Sequence, residues 1–349
     1  MKYSVCVNCV MDTSDKDIVF DDVGICNHCY QAWGELAAAQ NQREDLPKFI
    51  DKIKKSRGKY DCLIGLSGGV DSSLVLHKAV ELGLRPLTYS LDNGWNTKES
   101  DENIMRLVEG MKVPFFRYVL DLPKFKKLQS AFLQSGTANI EIPTDHILTA
   151  TAYEVATQYG LKWILSGGNV ATESVMPASW GHQPRDLKFI KAVYKKFNKE
   201  KMTGLPTLSI LKFNYYKWFK GIRIFYLLDY FSYNREEAKK LLAEKYGWKD
   251  YGEKHNESVF TTWFQSFYLY DKFGFDKRKA HLSSLINSGQ MTRKEALEII
   301  KKPPMYPQFG IERKVLKYPK KDYKDYPNNE RLWNFLCALF RLIPKRWRY

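Results

Sequence analysis

Apolar and polar residues fall in blocks along the first half of the chain, and the blocks switch repeatedly between short apolar runs and helical stripes. Residues 60–66 (YDCLIGL) form a run of buried-strand length, and residues 72–82 place Val75, Ala79 and Leu82 on one helical face. The switch then recurs. Residues 85–91 (RPLTYSL) predict a second strand, before a polar helix over 98–111, and residues 114–120 (PFFRYVL) predict a third. A helix over 144–159 leads to a fourth strand at 161–165 (LKWIL). Alternation at this pitch predicts an α/β fold around a parallel sheet. Residues 30–57 are polar and helix-prone, and predict one or two linker helices. Beyond about residue 180 the strand period is lost. Residues 188–230 interleave Lys and Arg with aromatics, and from Asn234 the signals are helical. Asn234 with Glu237 and Thr292 with Glu295 resemble capping boxes, and Gly247 resembles a helix stop. The expected division is 1–57, 58–180 and 181–349, the last a basic, aromatic and mainly helical substrate or partner region. The end, RLWNFLCALFRLIPKRWRY, pairs an apolar stripe with basic residues. Such a tail docks on its own domain or a partner subunit, or lies on a membrane surface.

Polar clusters follow three of the predicted strands: SGGVDSS, DNGWNT and SGGNVATES. Ligands of parallel sheets gather at the carboxyl ends of the strands, where these clusters fall. A strand-to-helix turn alone would account for Gly, Asp and Ser at such a place. The shared placement favours a phosphate cradle instead. In SGGVDSS, Gly68 and Gly69 let backbone N–H groups approach phosphate oxygens, and the helix that follows adds its positive end. Ser67, Ser72 and Ser73 add hydroxyl donors. Asp71 beside a polyphosphate calls for a bridging cation, so it is assigned to Mg²⁺. The loop is not G-x-x-x-x-G-K-[ST], since it lacks the lysine and the length.

Charge and cysteines narrow the picture. The chain has 55 Lys plus Arg against 39 Asp plus Glu, a net charge of +16 that suits an anionic partner without choosing one. The first residues lack an apolar core of signal-peptide length, and no uninterrupted run is long enough to span a bilayer, so a cytoplasmic protein is expected. Cys6, Cys9, Cys26 and Cys29 form C-x2-C-x16-C-x2-C. In a reducing compartment that spacing favours a closed, structural zinc site over disulfides. His28 could compete as a ligand, but it lies inside the second pair and is expected to orient nearby backbone instead. Cys62 falls in the first strand, where a small buried hydrophobe is the expected role, and Cys337 in the tail.

SGG-x-DS after a first strand resembles the PP-loop ATP pyrophosphatases, of the adenine nucleotide α-hydrolase-like fold. That resemblance implies that the loop holds the β- and γ-phosphates as a leaving pyrophosphate while a substrate oxygen attacks the α-phosphorus. By the same resemblance SLDNG places Ser90, Asp92 and Asn93 near the adenosine, and SGGN places Gly167, Gly168 and Asn169 beside the α-phosphate. CVNCVMDTSDKDIVFDDVGICNHC, IEIPTDHILTATAYEVA, SGGNVATES and KHNESVFTTWFQSFYLYDKFGFDKRKAHLSSLINSGQMTRKEAL together resemble the N-acetyl sugar amidotransferases. That family makes acetamidino sugars for bacterial surface polysaccharides. The implied reaction adenylylates an acetamido oxygen with ATP and then adds ammonia at carbon, with AMP and pyrophosphate as products.

Lys272, Lys277 and Arg278 in DKFGFDKRKAH are the expected cations for the pyrophosphate charge, with His281 beside them; a solvated basic helix face is the alternative. Glu257 and Glu173 are candidate acid–base or metal groups, and each could equally be a buried or capping carboxylate. Asp145 and His146 are site residues or simply open a helix. Residue 2 is Lys, and neither Cys62 nor Cys337 has a nucleophile's setting, so a separate glutaminase subunit is expected to supply ammonia. The rival class is a PP-loop tRNA-thiolating enzyme. It needs further cysteines near the site, and four of the six are already assigned to zinc. Binding of nucleic acid is therefore not expected, and peripheral membrane contact is left open.

Overall fold

Four residues of the first apolar run, Cys62–Gly65, form β1, and Leu63 and Ile64 feed opposite helix layers. A strand of a parallel sheet is covered on both faces, which is why this run is apolar without alternation. The computed structural model describes residues 3–56, 58–252, 256–304, 318–319, 326–333 and 335, so most of the C-terminal tail, including Cys337, lies outside the described residues. β2 (Pro86–Asp92), β3 (Phe115–Val119) and β4 (Trp163–Ser166) match the other predicted strands within two residues at each end. A fifth strand, β5 (Arg223–Tyr226), comes from the stretch that its composition marks only as basic and aromatic. All pairings are parallel, in the order β3-β2-β1-β4-β5.

Helices α1 (Asn27–Asn41) and α2 (Leu46–Lys54) precede β1. α1 starts inside the second cysteine pair rather than after it. α3 (Val70–Glu81) and α4 (Lys98–Met111) cross from β1 to β2 and from β2 to β3. α5 (Leu122–Ser135) and α6 (Ile142–Gln158) lead to β4, and α7 (Val170–Glu173), α8 (Leu187–Phe197) and α9 (Ile210–Asn214) to β5. After β5 come α10 (Arg235–Tyr246), α11 (Val259–Trp263), α12 (Leu269–Phe273), α13 (Lys277–Asn287) and α14 (Arg293–Lys301).

One sheet face packs Ile64, Leu165 and Phe225 under Val75, Leu107 and Leu242, residues of α3, α4 and α10. The other packs Leu63, Tyr89 and Ile164 under Ala150, Tyr153 and Phe213, residues of α6 and α9. A separate cluster joins Phe125, Phe132 and Phe189 to Trp263, Tyr268 and Leu269, so the C-terminal helices close over α5 and α8. α14 carries the full capping box of Thr292 and Glu295. At α10 the cap is one-sided: Asn234 accepts from the amides of Glu236 and Glu237, and Gly247 ends the helix at φ 65°. Among the described residues no helix is long and apolar enough to cross a membrane.

Candidate active site

The loop after β1 turns back because Gly68 adopts φ +78°, with its α-carbon pressed against the backbone of α4. A Cβ there would lie 2.3 Å from the Ser100 carbonyl oxygen. Trp248 Nε1 donates to the Gly68 carbonyl (2.9 Å) and pins the turn from outside. Gly69 caps α3 with no side-chain cap, which leaves the first amides of a twelve-residue helix available to an anion. Hydroxyls surround them. Ser67 and Ser72 Oγ are 3.2 Å apart, and Ser73 Oγ donates to the Gly69 carbonyl. Gly167, after β4, lies against this turn so closely that a Cβ would be 3.0 Å from the Ser72 amide. The first and fourth strand-end loops therefore form one surface.

Two tyrosines from beyond β5 close over it. Tyr233 donates to Asp71 Oδ1, and burial followed by the Asp71 charge pushes its pKa far up. A Cβ on Gly69 would lie 2.9 Å from the Tyr251 hydroxyl and 3.3 Å from Glu257 Oε1. Tyr251 is likewise raised, by burial first and then by Glu257 and Asp71, so both phenols keep their protons. Arg235 moderates both shifts, which places a guanidinium in the same field. Among the described residues its Nε is buried without a hydrogen-bond partner, and its Nη2 donates to the Gly252 carbonyl at 3.4 Å. A small cavity of about 210 Å³ brings Arg235 together with Lys277, Arg278 and His281. Sequence reasoning missed Arg235, which looks like an ordinary first-turn residue of α10.

A larger cavity, about 810 Å³, is lined by Ser67, Asn93, Glu141, Asp145, Glu173 and Glu257, together with Lys277 and His281. Like Tyr233 and Tyr251, Glu141 is another residue that sequence reasoning missed. Burial, then the charges of Asp145 and Glu257, push its pKa up to about 8, against a hydrogen bond from Thr261 Oγ1 (2.7 Å) that pulls it down. Its signal lay in the sequence: a carboxylate between two isoleucines and ahead of Pro143 at a helix start. Ile140 and Ile142 are both fully buried and carry Glu141 inward with them.

The other expected site residues divide. Asp92 Oδ1 accepts from the Gly94 amide and Asn93 Oδ1 from Trp95, so both shape the turn after β2. Among the described residues Ser90 Oγ is buried without a partner beneath it. Gly168 lies close to Tyr226, where a Cβ would be 2.9 Å from the ring. Asn169 caps α7, accepting from the Thr172 amide and donating to the Gly167 carbonyl. Lys277 Nζ lies 2.8 Å from Met176 Sδ. Arg278 is tied to Asp276 (2.7 Å) and the Lys302 carbonyl (2.7 Å), and Lys272 lies over the Tyr268 and Phe273 rings. Neither lines the larger cavity. His146 bridges the Pro184 carbonyl and the Leu208 amide, and burial pushes its pKa down to about 4, a neutral strut.

The four spaced cysteines come together. Their sulfurs lie within 4.8 Å of one another, with three separations of 3.7–3.8 Å. A tetrahedron with metal–sulfur bonds of about 2.3 Å has edges of about 3.8 Å, so the cluster fits zinc. The amides of Cys9, Met11 and Cys26 and the side chain of Asn8 point at sulfurs, as suits thiolates. His28 is not a ligand; it pairs with Asp15 (2.6 Å). The module braces α13. Val10 donates to Ser283, Asp12 pairs with Lys279, and Arg293 caps the Cys6 and Cys9 carbonyls. It therefore holds in place the helix that presents Lys277 and His281.

Comparison with known proteins adds three likenesses to whole proteins and one to a family model. The chain is 24% identical over 311 residues to an uncharacterized protein of Methanocaldococcus jannaschii, covering 87% of this chain and 94% of that one. An NH3-dependent NAD synthetase from Campylobacter jejuni is 17% identical over 48% of this chain and 73% of its own, with a TM-score of 0.30. An NMN synthetase from Francisella tularensis is 14% identical over 63% of this chain and 98% of its own, with a TM-score of 0.31. Residues 257–339, which include Glu257, Lys277 and His281, match the family model described as LPS biosynthesis protein WbpG-like, C-terminal domain.

Proposed function

We propose that the chain is an ATP-dependent synthetase of surface-polysaccharide biosynthesis that converts the acetamido group of a sugar to an acetamidino group. One observation carries the reading: the phosphate-loop residue Ser67 and the acid–base groups Glu141, Glu257, Lys277 and His281 line one cavity. The match of residues 257–339 to a lipopolysaccharide-biosynthesis domain supports a glycan substrate.

ATP phosphates sit on the amides of the Gly69 turn, and the sugar fills the cavity. The amide oxygen attacks the α-phosphorus; a P–O bond forms, and the electron pair of the broken P–O bond leaves on pyrophosphate. Arg235 and Lys277 take up that charge. Asp71 is the carboxylate that would hold Mg²⁺, which supplies charge neutralisation on the polyphosphate. Ammonia adds to the imidate carbon and gives a proton to Glu257, and AMP departs with the electron pair of the C–O bond. The cysteine module holds zinc in a structural role.

Ammonia comes from a separate glutaminase subunit. Cys62 is fully buried in β1 and burial pushes its thiol pKa up, the opposite of an activated nucleophile. The same burial disfavours tRNA thiolation, since no free cysteine among the described residues lines the cavity. The test gives purified chain ATP, Mg²⁺, candidate acetamido sugars and either ammonium or glutamine. The expected result is sugar-dependent AMP and pyrophosphate, and an acetamidino product by mass spectrometry, with ammonium alone. ADP and phosphate, or AMP formation indifferent to the sugar, would refute it.

A further inference from the structure

We propose that α9 and the π-helical turn that continues it, Tyr215–Phe219, form a docking surface for an anionic lipid bilayer. The segment is apolar on two sides. Phe213 and Tyr216 turn inward onto Tyr153, with ring centres 5.6 and 5.7 Å away. Leu211, Tyr215, Trp218 and Phe219 turn outward, with 82, 46, 59 and 82% of their surface exposed. Spacings of four and seven or eight residues put these four on one helical face. A single exposed leucine needs no explanation, but a contiguous outward face of four large apolar residues marks an interaction surface.

The charges around the patch decide its partner. Lys220 Nζ lies 5.8 Å from the Tyr215 ring centre, while Lys217, whose Nζ is 5.5 Å from that of Trp218, is itself buried. Arg223 sits over Trp163 at the start of β5. No Asp or Glu occurs between Glu200 and Asp229, and Glu154 of the neighbouring α6 is paired with Lys212 (2.9 Å). A second copy seated on this face would oppose cations to cations with no acid within the segment to pair them. Stacked bases would use the aromatic rings and leave Leu211 in water. A bilayer uses every part: acyl chains cover Leu211 and Phe219, Trp218 and Tyr215 sit at headgroup depth, and the exposed Lys220 reaches anionic phosphates. The patch lies where β5 begins and the phosphate loop where β1 ends. In a parallel sheet these are opposite edges, so docking leaves the cavity open to the aqueous side. Docking of this kind is independent of the reaction proposed above.

The test is flotation of the full chain with vesicles of phosphatidylcholine alone or mixed with phosphatidylglycerol. The chain is expected to float with the anionic vesicles and to be released by salt. Trp218→Ala/Phe219→Ala is expected to weaken partitioning at least tenfold, and Lys220→Glu roughly fivefold or more, the loss of one cation near such a surface. Circular dichroism and ATP turnover in detergent-free solution should be unchanged in both variants, which separates lost docking from lost folding. Three results would overturn the proposal: no flotation, equal flotation on both vesicle types, or a self-association or RNA binding in solution that the double variant abolishes while flotation persists.

Discussion

Glu141→Gln tests whether the cavity wall holds a neutral carboxyl group. The substitution keeps the shape and leaves an oxygen to accept from Thr261, but removes the ionisable proton. In the folded chain burial raises the Glu141 pKa from 4.5 to about 8. Between those values the unfolded chain has lost the proton that the folded chain keeps, so the unfolded state binds fewer protons and stability falls as pH rises. The full span of 3.5 units corresponds to about 5 kcal/mol, and the step from pH 6 to pH 8 alone to about 2 kcal/mol. The contribution is fully present below pH 4.5 and spent above about pH 8. Urea unfolding followed by circular dichroism from pH 5 to pH 8.5 reads this directly. Wild type is expected to lose about 2 kcal/mol more than Glu141→Gln between pH 6 and pH 8. Parallel pH profiles would mean that Glu141 ionises freely in the folded state, and the account of its burial and of the neighbouring Asp145 and Glu257 would fail.

Asp71→Asn is expected to fold normally and to lose Mg²⁺-dependent turnover, measured as AMP release; retained turnover would remove Asp71 from the cation site. Gly68→Ala sets a Cβ against the Ser100 carbonyl at positive φ and should lower stability by more than about 2 kcal/mol, read from the urea midpoint. A stable, active variant would contradict the turn as described. Arg235→Gln should raise the KM for ATP roughly tenfold or more, the loss of one charge-assisted contact, and an unchanged KM would leave Lys277 as the cation that matters. Cys9→Ser should abolish bound metal in elemental analysis and, by loosening the contacts that Val10 and Asp12 make with Ser283 and Lys279 of α13, raise the KM for ATP without changing the products. Full metal content in that variant would dismiss the tetrahedral site.

The local signals in the sequence were enough for four of the five strands and for the loops that follow β1, β2 and β4. Runs such as CLIG and PLTYSLD are apolar because both of their faces are covered, and Gly68 and Gly167 occur where backbone must approach backbone. The cysteine quartet was legible for the same reason: two close pairs at a fixed spacing have few other uses. What folding alone decided is long-range. β5 was hidden because RIFY is only four residues long, begins on a charge and is recognisable as a strand only beside β4. Tyr233 reaches the glycine-rich loop from more than 160 residues away, Arg235 acts on Tyr233 and Tyr251, and no spacing rule connects either to Asp71. Arg278 reads like Lys277 in sequence, yet one turns to Asp276 and the other lines the cavity. Glu141 becomes an acid of shifted pKa only when Ile140 and Ile142 draw it into the wall beside Asp145 and Glu257. Periodicity and turn chemistry act over a few residues and can be read along the chain. Desolvation and the meeting of charges depend on which distant segments share a surface, and only the packed molecule sets that.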